Sequence, residues 1–477
     1  MEDQEEKVPL LLEPAVEAGE VGLSRKILIE SKKLWRIAGP AIFNRLAMYT
    51  MNIISQAFAG HLGDLELASF SIACTVILGL VFGLMLGMAS ALETLCGQAF
   101  GTKKHHMLGI YLQRSWIVLV GISILILPVY IYAAQILMFM GQSRDIAEMA
   151  GNISLWMLPT HFSFAFQLPL QRFLQCQLKN AVIAYVSAVA LVVHIFISWL
   201  FVSVLDFGII GAACTMNFSW WVVVLGQFGY TVFGWCPLTW TGFSKEAFSG
   251  LWEFLRLSAA SGVMLCLENW YYKVLIVLTG NMKNAEIAVD ALSICISINS
   301  WEIMIPFAFF AATGVRVSNE LGAGNGNAAK FATVVSVVTS SVIGLFFWVV
   351  IMAFHDNLAL IFTSSTVVID AVNRLAVLLA FTILLNSIQP ILSGVAVGSG
   401  WQAYVAYVNI GSYYLIGVPV GVLLGWLFHL GVLGIWAGMI GGTAIQTLIL
   451  AYMTLRCDWE MEAKKASGRM NREVVSS

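Results

Sequence analysis

The residues best suited to chemistry lie where charge is expensive. Glu268 interrupts an apolar run, LCLENWYYKVL, and Asp290 and Glu302 fall in the next one. An ionisable group at bilayer depth costs several kcal/mol, so each one kept there needs a reason. At about 100° per residue, a helix places Ser261, Met264, Tyr271, Tyr272 and Leu275 on the face of Glu268. An acid beside a hydroxyl-bearing aromatic wall suits holding a proton and stacking a flat or cationic ligand. In the following run Asp290, Ser293, Ser297 and Trp301 form a polar stripe, with Glu302 about 120° around the helix. The candidate proton-coupling residues are therefore Glu268, Asp290 and Glu302. Tyr271, Tyr272, Trp301 and Asn386 are the candidates for substrate contact. The competing explanation for each acid is a static hydrogen bond between helices.

Prolines sharpen the choice. Pro306 lacks the N–H that would bond the carbonyl of Glu302, and Pro390 does the same to Asn386. Each polar side chain thus sits on a turn with a freed carbonyl and an expected kink. Unpaired backbone at membrane depth is tolerated only inside protein or beside water, so both turns are expected to line an interior cavity.

The basic residues and histidines offer less. Lys273 and Arg374 lie near span ends and can snorkel to the interface. Arg45, about ten residues into the first span, needs an acid partner or water, and the sequence does not name the partner. His194 is expected to be a bonded core residue. The eight cysteines lie singly, without Cys-x-x-Cys or metal-ligand spacing, and suit small buried positions. No metal, no cofactor and no enzymatic nucleophile–base set is expected.

The elements that hold these residues follow from composition. Of 477 residues 59% are hydrophobic and 11% charged, with mean hydropathy +0.84. A soluble chain carries roughly 25% charged residues to solvate its surface. Net charge is −2, which points to no nucleic-acid partner. A bilayer core of about 30 Å needs about 20 apolar residues per span. Runs of that kind fall near 35–58, 66–92, 110–134, 152–174, 181–203, 210–233, 255–279, 286–313, 331–354, 373–397, 403–426 and 432–455. The fold expected is an all-α integral membrane protein of twelve transmembrane helices in two parallel six-helix lobes. The divisions are a 1–34 tail, a 35–233 lobe, a 234–254 linker, a 255–455 lobe and a 456–477 tail. Residues 1–34 are polar and acidic, which argues against a cleaved signal.

Charge orients the chain. Segments on the side of the termini hold 20 of the 25 Lys and Arg residues, and the opposite side holds only Arg144 and Lys283. By the positive-inside rule both termini are cytoplasmic. The halves also repeat. GHLGDLELA at 60–68 resembles GNMKNAEIA at 280–288, Pro169 and 180–188 resemble Pro390 and 401–409, and GIIG at 208–211 recurs as GVLG at 431–434. The shifts stay between 220 and 223, and six helices per half make the repeat parallel, with a substrate site expected between the halves.

Longer motifs carry a resemblance. AATGVRVSNELGAGN at 311–325, ISQAFAGHLGDLELA at 54–68, ALETLCGQAFG at 91–101, CLENWYY at 266–272 and LSGVAVGSGWQ at 392–402 closely resemble plant multidrug and toxic compound extrusion (MATE) transporters. The resemblance runs from about 35 to 455, and locally it is nearest the flavonoid-transporting branch. It implies two six-helix lobes, alternating access and antiport of protons against small organic solutes; the partners expected are the solute, protons and the lipid bilayer, with the chain a monomer. Glu268 matches the family's seventh-helix carboxylate, and Asp290 an acid position in the eighth. One departure is Asn386, where many plant members carry Asp; asparagine takes up no proton, so coupling would fall on Glu268 with Asp290 or Glu302. A solute channel and a major-facilitator transporter are the alternatives. The latter usually shows a Gly-x-x-x-Asp-Arg-x-Gly turn, where this chain reads GQAFGTKKHH. Glu6 to Leu11, EKVPLL, resembles an acidic dileucine signal of vacuolar membrane proteins, which places the chain there rather than at the plasma membrane.

Overall fold

A computed structural model describes residues 22–280 and 285–476; the Glu6–Leu11 motif and Lys283 lie outside them. Among the described residues the regular structure is entirely helical. The first half holds α1 (Leu23–Leu62), α2 (Asp64–Gly101), α3 (His105–Ile131), α4 (Arg144–Trp156 continued by Leu158–Cys176), α5 (Asn180–Val204) and α6 (Gly208–Trp235). The second holds α7 (Leu251–Gly280), α8 (Ala285–Glu302 continued by Met304–Gly322), α9 (Gly326–Leu360), α10 (Thr366–Asn386 continued by Gln389–Ser399), α11 (Gln402–Leu427) and α12 (Gly431–Arg456). Eleven of the twelve expected spans fall inside one of these rods; the third, 110–134, overruns α3 into a separate short helix, Ala133–Phe139.

Nine of the rods, among the described residues, are long and apolar enough to cross a membrane by composition alone. The three that fall short are α1, α4 and α7. They carry Arg45, Gln167, Arg172 and Glu268, so their polarity is the mark of helices that face the protein interior rather than lipid.

Both predicted proline breaks are present. The first part of α8 ends at Glu302 and resumes at Met304, with Pro306 in the next turn. The first part of α10 ends at Asn386 and resumes at Gln389, with Pro390 at the start of the new turn, where its missing N–H costs nothing.

The lobes interlock on the side that carries the chain ends. A Cβ on Gly87 of α2 would lie 2.8 Å from Gly262 Cα of α7, so only glycine allows that approach. Nearby, Gln98 Nε2 donates to Gly398 O (3.2 Å) and Gln402 Nε2 to Thr94 Oγ1 (2.8 Å). Arg316 of α8 is fully buried and binds Glu30 of α1 through two bonds (2.7 and 3.0 Å) while also reaching Glu320 (2.7 Å). That bidentate pairing gives the charged centre of the VRVSNE motif a structural role, joining one lobe to the other.

The expected C-terminal tail is partly a helix, α13 (Trp459–Ser476). Trp459, Ala463, Ala466 and Met470 are its buried stripe, spaced four, three and four residues apart. It lies across both lobes: Lys104 Nζ donates to Met470 O (3.0 Å) and Trp401 Nε1 to Glu462 Oε2 (3.2 Å). The charges of this segment hide the periodicity from a reading for membrane spans.

Candidate functional site

In α7 the stripe foreseen from the helix period is buried: Ser261, Met264, Glu268, Tyr271 and Leu275 are all below a tenth exposed. Glu268 is held by three neutral donors, all on one oxygen. Gln389 Nε2 and Ser393 Oγ of α10 donate to Oε1 at 3.1 Å each, and Asn409 Nδ2 of α11 at 3.3 Å. Gln446 of α12 steadies Asn409 by donating to its Oδ1 (3.1 Å). Two helices therefore bond the α7 carboxylate directly and a third, α12, supports one of the donors, and Oε2 accepts no bond among the described residues. Among the described residues no cation pairs with the group, so its charge state and the bonds around it are linked.

Asn386 forms a second, separate cluster. Tyr272 donates its hydroxyl to Asn386 Oδ1 (2.7 Å), and Asn386 Nδ2 donates to Asn299 Oδ1 of α8 (3.0 Å). The break before Pro390 aims Asn386 at Tyr272, and the next turn aims Gln389 and Ser393 at Glu268. Glu302, at the α8 break, is 5% exposed, and both its oxygens lack a hydrogen-bond partner among the described residues.

The remaining sequence candidates separate. Asp290 is exposed, and none of these bonds reaches it. Its stripe faces outward at Ser293 and Trp301, because the apolar Ala291, Leu292 and Cys295 take the packed face of α8. Trp301 meets Tyr49 of the other lobe edge-on at 5.1 Å. Tyr271 is a packing residue: it stacks on Tyr413 at 4.3 Å and donates to Met439 O (2.7 Å). The cavity beside Tyr271 and Tyr272 measures about 10 Å³, room for no more than one water. His194 is a bonded core residue, between Ser55 (3.1 Å) and Ser219 (2.8 Å).

The first lobe holds a polar centre that the sequence reading did not assemble. Arg172 of α4 pairs with Glu93 of α2 at 3.0 Å, both almost wholly buried. Gly314 makes room for the Glu93 carboxylate, which a Cβ there would strike. Beside this pair, Arg45 borders a cavity of about 210 Å³. Two signals were available: Glu93 stands in ALETLCGQAFG, and Arg172 follows Pro169 by three residues, as Ser393 follows Pro390.

A family model described as MatE matches residues 40–200 and again 260–423. The chain belongs to the MatE family. As a MATE transporter it is similar to Protein DETOXIFICATION 27 of Arabidopsis thaliana, 64% identical over 99% of this chain and 97% of the relative. Protein DETOXIFICATION 26 of the same plant is 61% identical, with the same coverage. Among solved structures, the eukaryotic MATE transporter AtDTX14 superposes with a TM-score of 0.89 at 35% identity, covering 93% of this chain and 99% of its own. A Vibrio cholerae MATE transporter, VcmN, has a TM-score of 0.82 at 16% identity, covering 92% of this chain and 100% of its own, and so shares the fold. The two matches of the family model fall one in each lobe of this multi-pass membrane protein.

Proposed function

We propose that this MATE transporter exchanges protons for small organic solutes by alternating access, with Glu268 as the coupling acid. One observation carries the reading: Glu268 is a buried carboxylate whose three bonds come from neutral donors on α10 and α11, with its second oxygen unbonded. A proton on Oε2 removes the negative charge that holds Gln389, Ser393 and Asn409 against α7. The proton state thereby biases how α10 and α11 sit on α7, which is the two-state element that antiport requires. Glu302 is the second carboxylate available to this scheme, whereas Asp290 stands outside the cluster and contributes only if α8 rotates.

Membership of the MatE family sets aside the major-facilitator alternative. A solute channel differs by experiment, because collapsing a pH gradient does not oppose its flux. The solutes proposed are flat, flavonoid-like metabolites, and the membrane proposed is the vacuolar one, with both termini in the cytosol and the protein acting as a monomer. The lysine and arginine bias supports the orientation. One pH unit yields about 1.4 kcal/mol per proton, roughly tenfold accumulation.

The test is uptake into proteoliposomes under an imposed pH gradient. The parent protein accumulates solute and Glu268→Gln, reconstituted in equal amount, does not. Equal uptake by the two removes Glu268 from the mechanism. For location, tagged parent protein marks the vacuolar membrane and Leu10→Ala with Leu11→Ala diverts it to the cell surface. Parent protein found at the cell surface in its own cell type overturns that assignment.

A further inference from the structure

The cavity in the first lobe is walled by α1, α2, α4 and α6, with Met304, the first residue after the α8 break, also on its lining. Its apolar wall is aromatic, from Phe82, Phe164 and Trp220. An apolar cavity of about 150 Å³ holds a benzene ring; this one, at about 210 Å³, has space for a substituted ring.

Its polar lining has a definite sign. Arg45 borders the space and has no carboxylate within salt-bridge distance among the described residues. Its guanidinium rests over the Phe307 ring of α8 at 5.4 Å, a contact that engages the ring face and not its N–H donors, which make no hydrogen bond among the described residues. Glu93, the acid of this centre, lies 3.0 Å from Arg172, and its charge also acts on Arg45. Two arginines share one carboxylate, so the cavity wall carries a surplus positive charge. Also on the lining, Gln167 donates its amide to Gln171 Oε1 (3.0 Å) and leaves its own Oε1 buried without a partner among the described residues. A half-compensated cation and an orphan acceptor at membrane depth both cost free energy until a ligand supplies an anion and a hydroxyl.

We propose that this cavity docks the acidic group of an aromatic organic anion, with Arg45 as its counter-charge and Gln167 accepting from a hydroxyl of the ligand. The inference deepens the transport reading above by naming the charge class of the solute. It also places solute and proton in different lobes, since Glu268 lies in the second. The cavity is lined by Met304, which begins the second part of α8, and Arg45 rests on Phe307 of the same helix, so occupancy of one lobe bears on the helix that carries the second lobe's free carboxylate.

The test measures binding without any gradient. Purified full-length protein in lipid nanodiscs is dialysed to equilibrium against two radiolabelled probes, a flavonol 3-glucoside and the matching 3-glucuronide. The probes differ only in the carboxylate on the sugar. The parent protein is expected to bind the glucuronide about tenfold tighter or more, the size of one charge-assisted hydrogen bond. Arg45→Gln erases the preference while leaving glucoside affinity in place, and Arg45→Lys restores part of it. Glu268→Gln keeps the preference even where it abolishes gradient-driven uptake, so loss of the coupling scheme and loss of this site read out separately. Equal affinity for both probes in the parent protein overturns the inference, whether or not Arg45→Gln folds. A glucuronide preference that survives in a folded Arg45→Gln overturns it as well.

Discussion

The two lobes place opposite chemistry at related positions. Three residues after Pro169 stands Arg172, bound to Glu93; three residues after Pro390 stands Ser393, bound to Glu268. In the first lobe the buried acid is locked to a guanidinium, with a further arginine facing open space. In the second the buried acid meets only neutral amides and a hydroxyl, and the neighbouring aromatic space is filled by Tyr271 on Tyr413. A carboxylate pinned by a cation is a structural anchor, while one ringed by neutral donors can change its charge without leaving an uncompensated partner. The repeat supplied two equivalent frames, and side-chain chemistry gave each a different buried acid environment.

That contrast is broken most forcefully from the first lobe. Glu93→Gln leaves Arg172 buried and unpaired beside Arg45, a change expected to cost about 3–5 kcal/mol and to lower the melting temperature in detergent markedly. Adding Arg172→Met is expected to recover most of the loss, and a double variant no more stable than the single one removes the anchor role. The matching change in the second lobe, Glu268→Gln, is expected to leave the melting temperature within about 1 kcal/mol equivalent, because a neutral amide replaces an acid among neutral partners. Its effect falls on gradient-driven uptake instead.

Smaller changes sharpen the comparison. Tyr271→Phe deletes one bond to Met439 O and is expected to cost about 1 kcal/mol of stability without altering the choice among solutes. Solute-selective loss in that variant would return Tyr271 to the binding wall. Asn386→Asp is expected to have the least effect on folding, since Asp still accepts from the Tyr272 hydroxyl and the Asn299 amide can turn to donate where it accepted. It places a second ionisable group beside the Glu268 cluster, and a steeper dependence of uptake on pH is the measurement that detects it. An unfolded Asn386→Asp would mean the α10 break is too dry for a carboxylate.

Local information was enough for a large part of this. Twelve spans, the breaks at Glu302 and Asn386 and the buried stripe around Glu268 all follow from run length, helical period and the missing N–H of proline, which act within a few residues of their cause. Partnership is different. Which donors reach Glu268, that Glu93 claims Arg172 rather than Arg45, and that Tyr271 turns into packing while Asp290 turns outward all depend on helices far apart in the chain. The bonds from Asn409 to Glu268 and from Glu30 to Arg316 span 141 and 286 residues. The sequence by itself determined which helices must face the interior, because polar groups are not left in lipid. Only tertiary structure decided which polar group each one meets there, because that rests on the rotation and closeness of helices at glycines such as Gly87 and Gly314, and a one-dimensional pattern does not carry either.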